Sequence, residues 1–306
     1  MTLYARLLVG LVEYSAMLAV LGLLVAPLRP LALLIVPCVF ALALILRFAR
    51  RSLAHRRYLA SAALAFLRSP LLLLRELAFG CGQLLLALRF GRRLPRPGQL
   101  DQRVEYRLPF EGAWTVANGG PERGQSHSWS ILNQRYAYDF NVTNADRLSY
   151  EGRGEKLEEF LAFGRPIVAP ADGRVLRARD GVPDHAKPGT GWIDWRAGDP
   201  RGNHVLIQHD RGEYSLLAHL QRGSVSVRAG DVVRSGQRLG LCGNSGHTTQ
   251  PHLHFHVQHR AGLNLAVGLP VEFSSFTVVE ADRSVQVDRG YPVRGQVVLS
   301  TSDETR

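Results

Sequence analysis

Cysteine is scarce in this chain, and acidic residues are almost missing from its first third. The three cysteines, Cys38, Cys81 and Cys242, form no Cys-x-x-Cys pair and no disulfide framework, which excludes a cysteine-stapled scaffold. A domain of this size needs no disulfide, so their scarcity leaves the compartment open. Residues 1–100 hold 13 arginines, no lysine and only Glu13 and Glu76, and so carry the whole formal net charge of +11. Residues 101–306 hold 24 basic and 24 acidic residues. Having no net charge and no basic cluster, this larger part is not expected to bind nucleic acid. There is no internal repeat and no low-complexity tract.

The basic excess belongs beside apolar runs. Residues 7–26 are apolar apart from Glu13, Tyr14 and Ser15 and are closed by Pro27 and Pro30, and residues 31–46 form a second run that stops at Arg47. Each approaches the roughly 20 residues that cross a bilayer. The pair is too long for a signal peptide and has no small-residue cleavage site. Two membrane helices are predicted, with Arg47, Arg50, Arg51, Arg56 and Arg57 marking the cytoplasmic side. Residues 58–90 are again apolar but broken by Arg68, Pro70, Arg75 and Glu76. They read either as a third crossing or as helices lying in the interface with arginines reaching to water. A third crossing places the rest of the chain outside; flat helices leave it in the cytoplasm. The expected organisation is a membrane region of two or three helices over 1–90, a basic, proline-containing linker over 91–103, a main domain over 104–275, and a β-rich extension with a polar tail over 276–306.

Beyond Val104, short runs rich in Val, Leu, Ile, Tyr and Phe alternate with Gly, Pro and Asp, which predicts an all-β domain of sandwich or barrel type. Residues 154–163 have room for a helical turn or two. In Gly243-Asn244-Ser245-Gly246-His247-Thr248-Thr249-Gln250-Pro251-His252-Leu253-His254-Phe255-His256-Val257 a turn cluster enters a strand. Period two puts His252, His254 and His256 on one face and Leu253, Phe255 and Val257 on the other. Folding does not demand three imidazoles on one side of a strand, whereas a zinc site does, because neutral imidazole is a good ligand.

Four elements in order resemble the lysostaphin-type, or LytM-like, zinc metallopeptidases that cut peptidoglycan cross-links. They are Ala-Pro-Ala-Asp-Gly-Arg-Val at 169–175, Ala-His-Leu at 218–220, Gly-Asp-Val-Val-x-x-Gly-Gln at 230–237, and the Gly-Asn-Ser-Gly to His-Leu-His-Phe block at 243–255. The resemblance implies an antiparallel β-sandwich of the duplicated hybrid motif type, one zinc ion per chain, and peptidoglycan peptides as substrate. It implies His254 and Asp139 as metal ligands and His219 and His252 as catalytic histidines. Most members carry a further His ligand four residues before the Asp, where this chain has Arg135, and an arginine cannot bind zinc. In members with a similar Asn-Gln-Arg-Tyr-Ala-Tyr-Asp segment that His lies upstream, which makes His127 the third ligand; His256, one strand step beyond His254, is the next candidate and otherwise a neighbour of the site. Leu217 replaces a Tyr of many members.

The implied substrate sets the expected location: the inner membrane of a bacterium, with the catalytic domain on the periplasmic side and a protein regulator unidentified. The rival expectation is an inactive LytM-like envelope module that binds a partner or the wall, with Arg135 as its best support.

Overall fold

The computed structural model describes residues 52–300 except 103, 263–264 and 281–282. The runs at 7–26 and 31–46, expected to cross a membrane, lie outside the described residues. Two helices come first, α1 (Leu53–Arg68) and α2 (Pro70–Phe90). Proline favours the first position of a helix and disfavours helical backbone in the residue before it, so Ser69-Pro70 separates the two. Among the described residues no helix is long and apolar enough to cross a membrane. A third crossing over 58–90 therefore finds no support.

The strands follow: β1 (Ala113–Asn118), β2 (Tyr138–Asn141), β3 (Pro166–Val168), β4 (Gly173–Arg179), β5 (Asn203–Gln208), β6 (Tyr214–Leu220), β7 (Val232–Val233), β8 (Arg238–Leu241), β9 (Leu253–Gln258), β10 (Gly268–Leu269), β11 (Phe273–Val279), β12 (Ser284–Gly290) and β13 (Val297–Ser300). The main sheet runs β12-β11-β13-β1-β2-β9-β6-β5-β4-β7, with β10 on β9, while β3 pairs with β8. These strand pairings are antiparallel, so the all-β expectation for the main domain holds. The expected turn in 154–163 is a single 3-10 turn at Leu157–Glu159. β12 and β13, in the expected extension, pair with β11 and with β1, so the extension shares the sheet of the main domain.

One face of this sheet carries the core. Tyr138 and Phe140 of β2, Leu217 of β6, and Leu253, Phe255 and Val257 of β9 are all buried there with Trp114, Phe110, Ile167 and Phe273. The alternation read from the sequence is thus the alternation of the fold, and it turns the intervening residues of β2, β6 and β9 toward the opposite face.

Candidate active site

Register brings the polar residues of the central strands together. Asp139 of β2 lies directly opposite His254 of β9, and His254 lies opposite Ala218 of β6 on its other side. His219 needs a separate device. Asn203 pairs with Leu220 and His204 with Ala218, so His219 is an extra residue in its strand, with φ of 64°. That left-handed backbone costs about 1–2 kcal/mol in a residue with a Cβ, and a bulge of this kind re-aims a side chain. Arg201 O accepts from its N–H and its carbonyl accepts from Gly243 N. The His219 ring stands 4.9 Å from that of His252 and 6.0 Å from that of His254, centroid to centroid.

Asp139 is the hub. His254 Nδ1 is 2.9 Å from Oδ1, His127 Nδ1 3.2 Å from Oδ2, and His252 Nε2 3.6 Å from Oδ1. Burial pushes the carboxyl pKa up, but the His254 contact and the electrostatic pull of the His252, His254 and His127 rings outweigh it and hold Asp139 well below the usual carboxylate range. The three other predicted residues, His127, His219 and His252, therefore converge with Asp139 and His254, although His127 remains half-exposed, at 48%.

The hydrogen bonds fix where the protons are. Gln258 Nε2 donates to Arg260 O, a carbonyl that can only accept, so Gln258 Oε1 must be the atom facing His256 Nε2 at 3.1 Å. His256 Nε2–H therefore donates. Burial lowers the His256 pKa to about 3 and keeps the ring neutral, so its Nδ1 is an acceptor, and it receives His254 Nε2–H at 3.1 Å. The Nδ1 lone pair of His254 then faces an ionised oxygen 2.9 Å away. Two lone pairs in that position require a cation between them, either a proton or a metal ion. Donor atoms about 3 Å apart are also close to the spacing of two ligands on one tetrahedral zinc with bonds of about 2.0–2.2 Å. Among the described residues no group of three His, Cys, Asp or Glu side chains is already arranged as a metal would hold it. The donors rest directly on the carboxylate instead, so His127, Asp139 and His254 fit the metal in chemistry and need a small separation to admit it.

His252 and His219 are arranged differently. His252 Nδ1–H donates to Gln250 O at 2.8 Å and His219 Nδ1–H to Ser245 O at 2.9 Å, so each keeps Nε2 as a proton acceptor. Burial is the main cause that lowers both pKa values, which keeps both rings neutral at pH 7.

Several features of the site were not legible in the sequence. The cleft, of about 610 Å3, is walled on one side by Tyr58, Ala62, Glu76 and Phe79 of the two helices. Asn203 and Asn244 are fully buried clamps. Asn203 holds Val182 and Leu220 O, and Asn244 holds His185 O, which pins the 180–191 loop to the site. Arg135 points away from the metal donors, with its guanidinium 5.1 Å from the Trp129 ring centroid and its Nε donating to Trp129 O. Leu217 faces the core, whereas Leu216 and Ala218 line the cleft, so a tyrosine there would need another strand register to reach it. His209 is absorbed elsewhere, donating from Nδ1 to Asp172 O and bonded through Nε2 to Ser215.

Residues 157–265 match the peptidase family M23. This chain contains a peptidase family M23 domain. His127 and Asp139 lie ahead of the matched stretch, and Asp139 reaches it through the β2–β9 pairing. The M23-containing chain is 35% identical over 149 residues to an uncharacterised metalloprotease of Haemophilus influenzae, covering 48% of this chain and 28% of that protein. It is 37% identical over 89 residues to peptidoglycan DD-endopeptidase ShyA of Vibrio cholerae, covering 29% of this chain and 20% of that one. The chain thus spans less than a third of the length of these relatives. The solved catalytic domain of lysostaphin from Staphylococcus simulans aligns with 54% of this chain and 88% of its own at 18% identity, with a TM-score of 0.29.

Proposed function

We propose that this chain is a membrane-anchored zinc endopeptidase that hydrolyses an amide bond of the kind found in the peptide part of peptidoglycan. The observation that carries the reading is the convergence of His127 Nδ1 and His254 Nδ1 on the Asp139 carboxylate, with His254 backed through Nε2 by His256 and Gln258, so that a proton or a metal ion lies between His254 and Asp139. His127, Asp139 and His254 would hold that ion, two imidazoles and a carboxylate with room for substrate, as in catalytic zinc sites. When bound, zinc lowers the pKa of a coordinated water from about 15.7 toward about 7 and polarises a carbonyl.

The chain's own groups supply the proton handling. His252 Nε2 faces the donor cluster and is free to accept a proton from the attacking water. His219, its ring beside that of His252, holds a second acceptor in the cleft. Once protonated, either ring can donate to the leaving amine. Main-chain carbonyls fix both tautomers, so neither ring must reorient before reaction.

Digestion of purified peptidoglycan tests the reading. Expected are new amine termini released by the zinc-loaded protein and a loss of at least a hundredfold for His252→Ala or His219→Ala, the scale of a lost general acid or base. A zinc-loaded native protein that binds peptidoglycan and releases no amine would establish the non-catalytic module instead.

A further inference from the structure

The peptidase reading does not use the outer side of α2. At about 100° per residue, Glu76, Phe79, Gln83, Leu86 and Phe90 fall on one face. That face packs on the β-domain: Gln83 Oε1 accepts from Leu132 N at 2.7 Å, and Leu86 and Phe90 cluster with Leu132 and Val267. The opposite face carries Leu71, Leu74, Leu77, Leu84, Leu85 and Leu88, between 57% and 74% exposed, together with exposed Ala78 and Cys81. Between Leu71 and Leu88 no charged residue falls within this stripe. Of the charges on α2, Arg75 turns to Gly198 O and Glu76 faces the cleft, while Arg89 sits at the final turn, followed by Arg92, Arg93 and Arg96 in the chain.

We infer that this leucine face docks onto a lipid bilayer, with α2 lying in the interface parallel to the membrane. Three observations select lipid. The apolar stripe is about 140° wide, broader than the narrow seam that pairs two helices in a coiled coil. Arginines border its end, where their stems can lie along the acyl boundary and their heads reach phosphate. The sequence joins α2, through arginine-rich residues 47–57, to two apolar runs long enough to enter the same bilayer. Since the inner face of α2 walls the cleft, docking sets the distance between the cleft and the membrane surface. This inference does not depend on catalysis.

The full chain, reconstituted into phosphatidylethanolamine/phosphatidylglycerol liposomes, provides the test. In a Cys38→Ser background a nitroxide is attached at Cys81. With Cys81 also replaced by Ser, it is placed instead at Leu71→Cys, Ala78→Cys, Leu85→Cys or Leu88→Cys, and, as controls on the flank, at Gly80→Cys and Ala87→Cys. Collision with oxygen and with a water-soluble nickel complex reports depth. Expected is an oxygen-to-nickel ratio several-fold higher along the leucine row than at positions 80 and 87, at one shallow depth from Leu71 to Leu88. A row that is as accessible to nickel as the controls overturns the inference, with co-flotation of protein and liposomes showing that anchoring itself is intact. Depth that rises to the bilayer centre near Cys81 and falls again overturns it in favour of a crossing helix. Dipolar broadening between labels, abolished by dilution with unlabelled chain, overturns it in favour of a second copy.

Discussion

His256 offers the sharpest test of how the metal donors are held. It is 1% exposed and its two ring nitrogens serve His254 on one side and Gln258 on the other. In His256→Leu the His254 Nε2–H and Gln258 Oε1 both lose their partner inside the protein. Each orphaned buried group costs about 1–3 kcal/mol, so the metal-free protein melts lower. The larger consequence concerns tautomer. Without an acceptor at Nε2, His254 can place its proton on Nδ1 and donate it to Asp139, which satisfies the carboxylate without a cation and competes with zinc. Loss of such a partner behind a metal ligand typically weakens metal binding by about 10- to 100-fold, or about 1.4–2.7 kcal/mol. His256→Gln is the informative companion, because its amide oxygen can accept from His254 while its NH2 donates to Gln258. Zinc affinity measured by chelator competition is expected to fall at least tenfold in His256→Leu and to recover most of that in His256→Gln. Equal affinity in native protein and His256→Leu, or equal loss in both variants, would refute the relay.

Other outcomes follow from neighbouring features. His127→Ala removes a half-exposed side chain, so its melting temperature without metal should stay near native while the stabilisation by added zinc shrinks; scanning calorimetry with and without zinc checks this. Both His219→Ala and His219→Gly remove the imidazole, but only glycine relieves the left-handed backbone, so the glycine variant should be the more stable by about 1 kcal/mol in urea unfolding. Gly202→Ala should lose both stability and activity, since φ is +63° and an added Cβ would fall on the Ser245 carbonyl that orients His219. Burial, and then the Arg201 charge, lower the His204 pKa from 6.5 to about 4. Below pH 6.5 the unfolded chain therefore binds a proton that the native chain refuses, and stability falls as pH drops toward 4, with this residue contributing about 2 kcal/mol of loss at pH 5. His204→Asn, which keeps a donor toward Gly202 O, should flatten that slope in urea titrations between pH 7 and 4.5.

The histidine strand was readable because its signal is local: a period-two alternation ahead of which a turn cluster stands, with a hydrophobic residue between each pair of imidazoles. The same locality made the all-β class visible. What the sequence concealed depends on partners far along the chain. His219 reads as one more alternating strand residue, yet a bulge set by β5 decides where it points. Asn203 and Asn244 have the chemistry of turn formers, and only burial beneath the 180–191 loop makes them clamps. The apolar character of 58–90 and its break at Pro70 were plain, but the two-sided use of α2 is a tertiary fact. His127 was reached through resemblance, and its place beside Asp139 is a matter of loop path.

The joining of Asp139 to His254 shows how strongly the site leans on residues with no chemistry of their own. The two are 115 positions apart and meet because β2 and β9 pair in one register. A slip of a single residue in β2 would turn Asp139 into the core and Tyr138 or Phe140 onto the metal face, since side chains alternate with period two. Against that slip stand the Tyr138–Phe140 ring stack at 5.3 Å, the packing of Phe140 on Phe110 at 4.9 Å, and the edge contact of Tyr138 with Phe273 at 5.4 Å. Truncating Phe140 to Ala would cost about 3–5 kcal/mol by cavity formation and would loosen the alternation that aims the carboxylate. The aromatic residues on the inner side of β2 therefore set the position of the Asp139 carboxylate on its outer side.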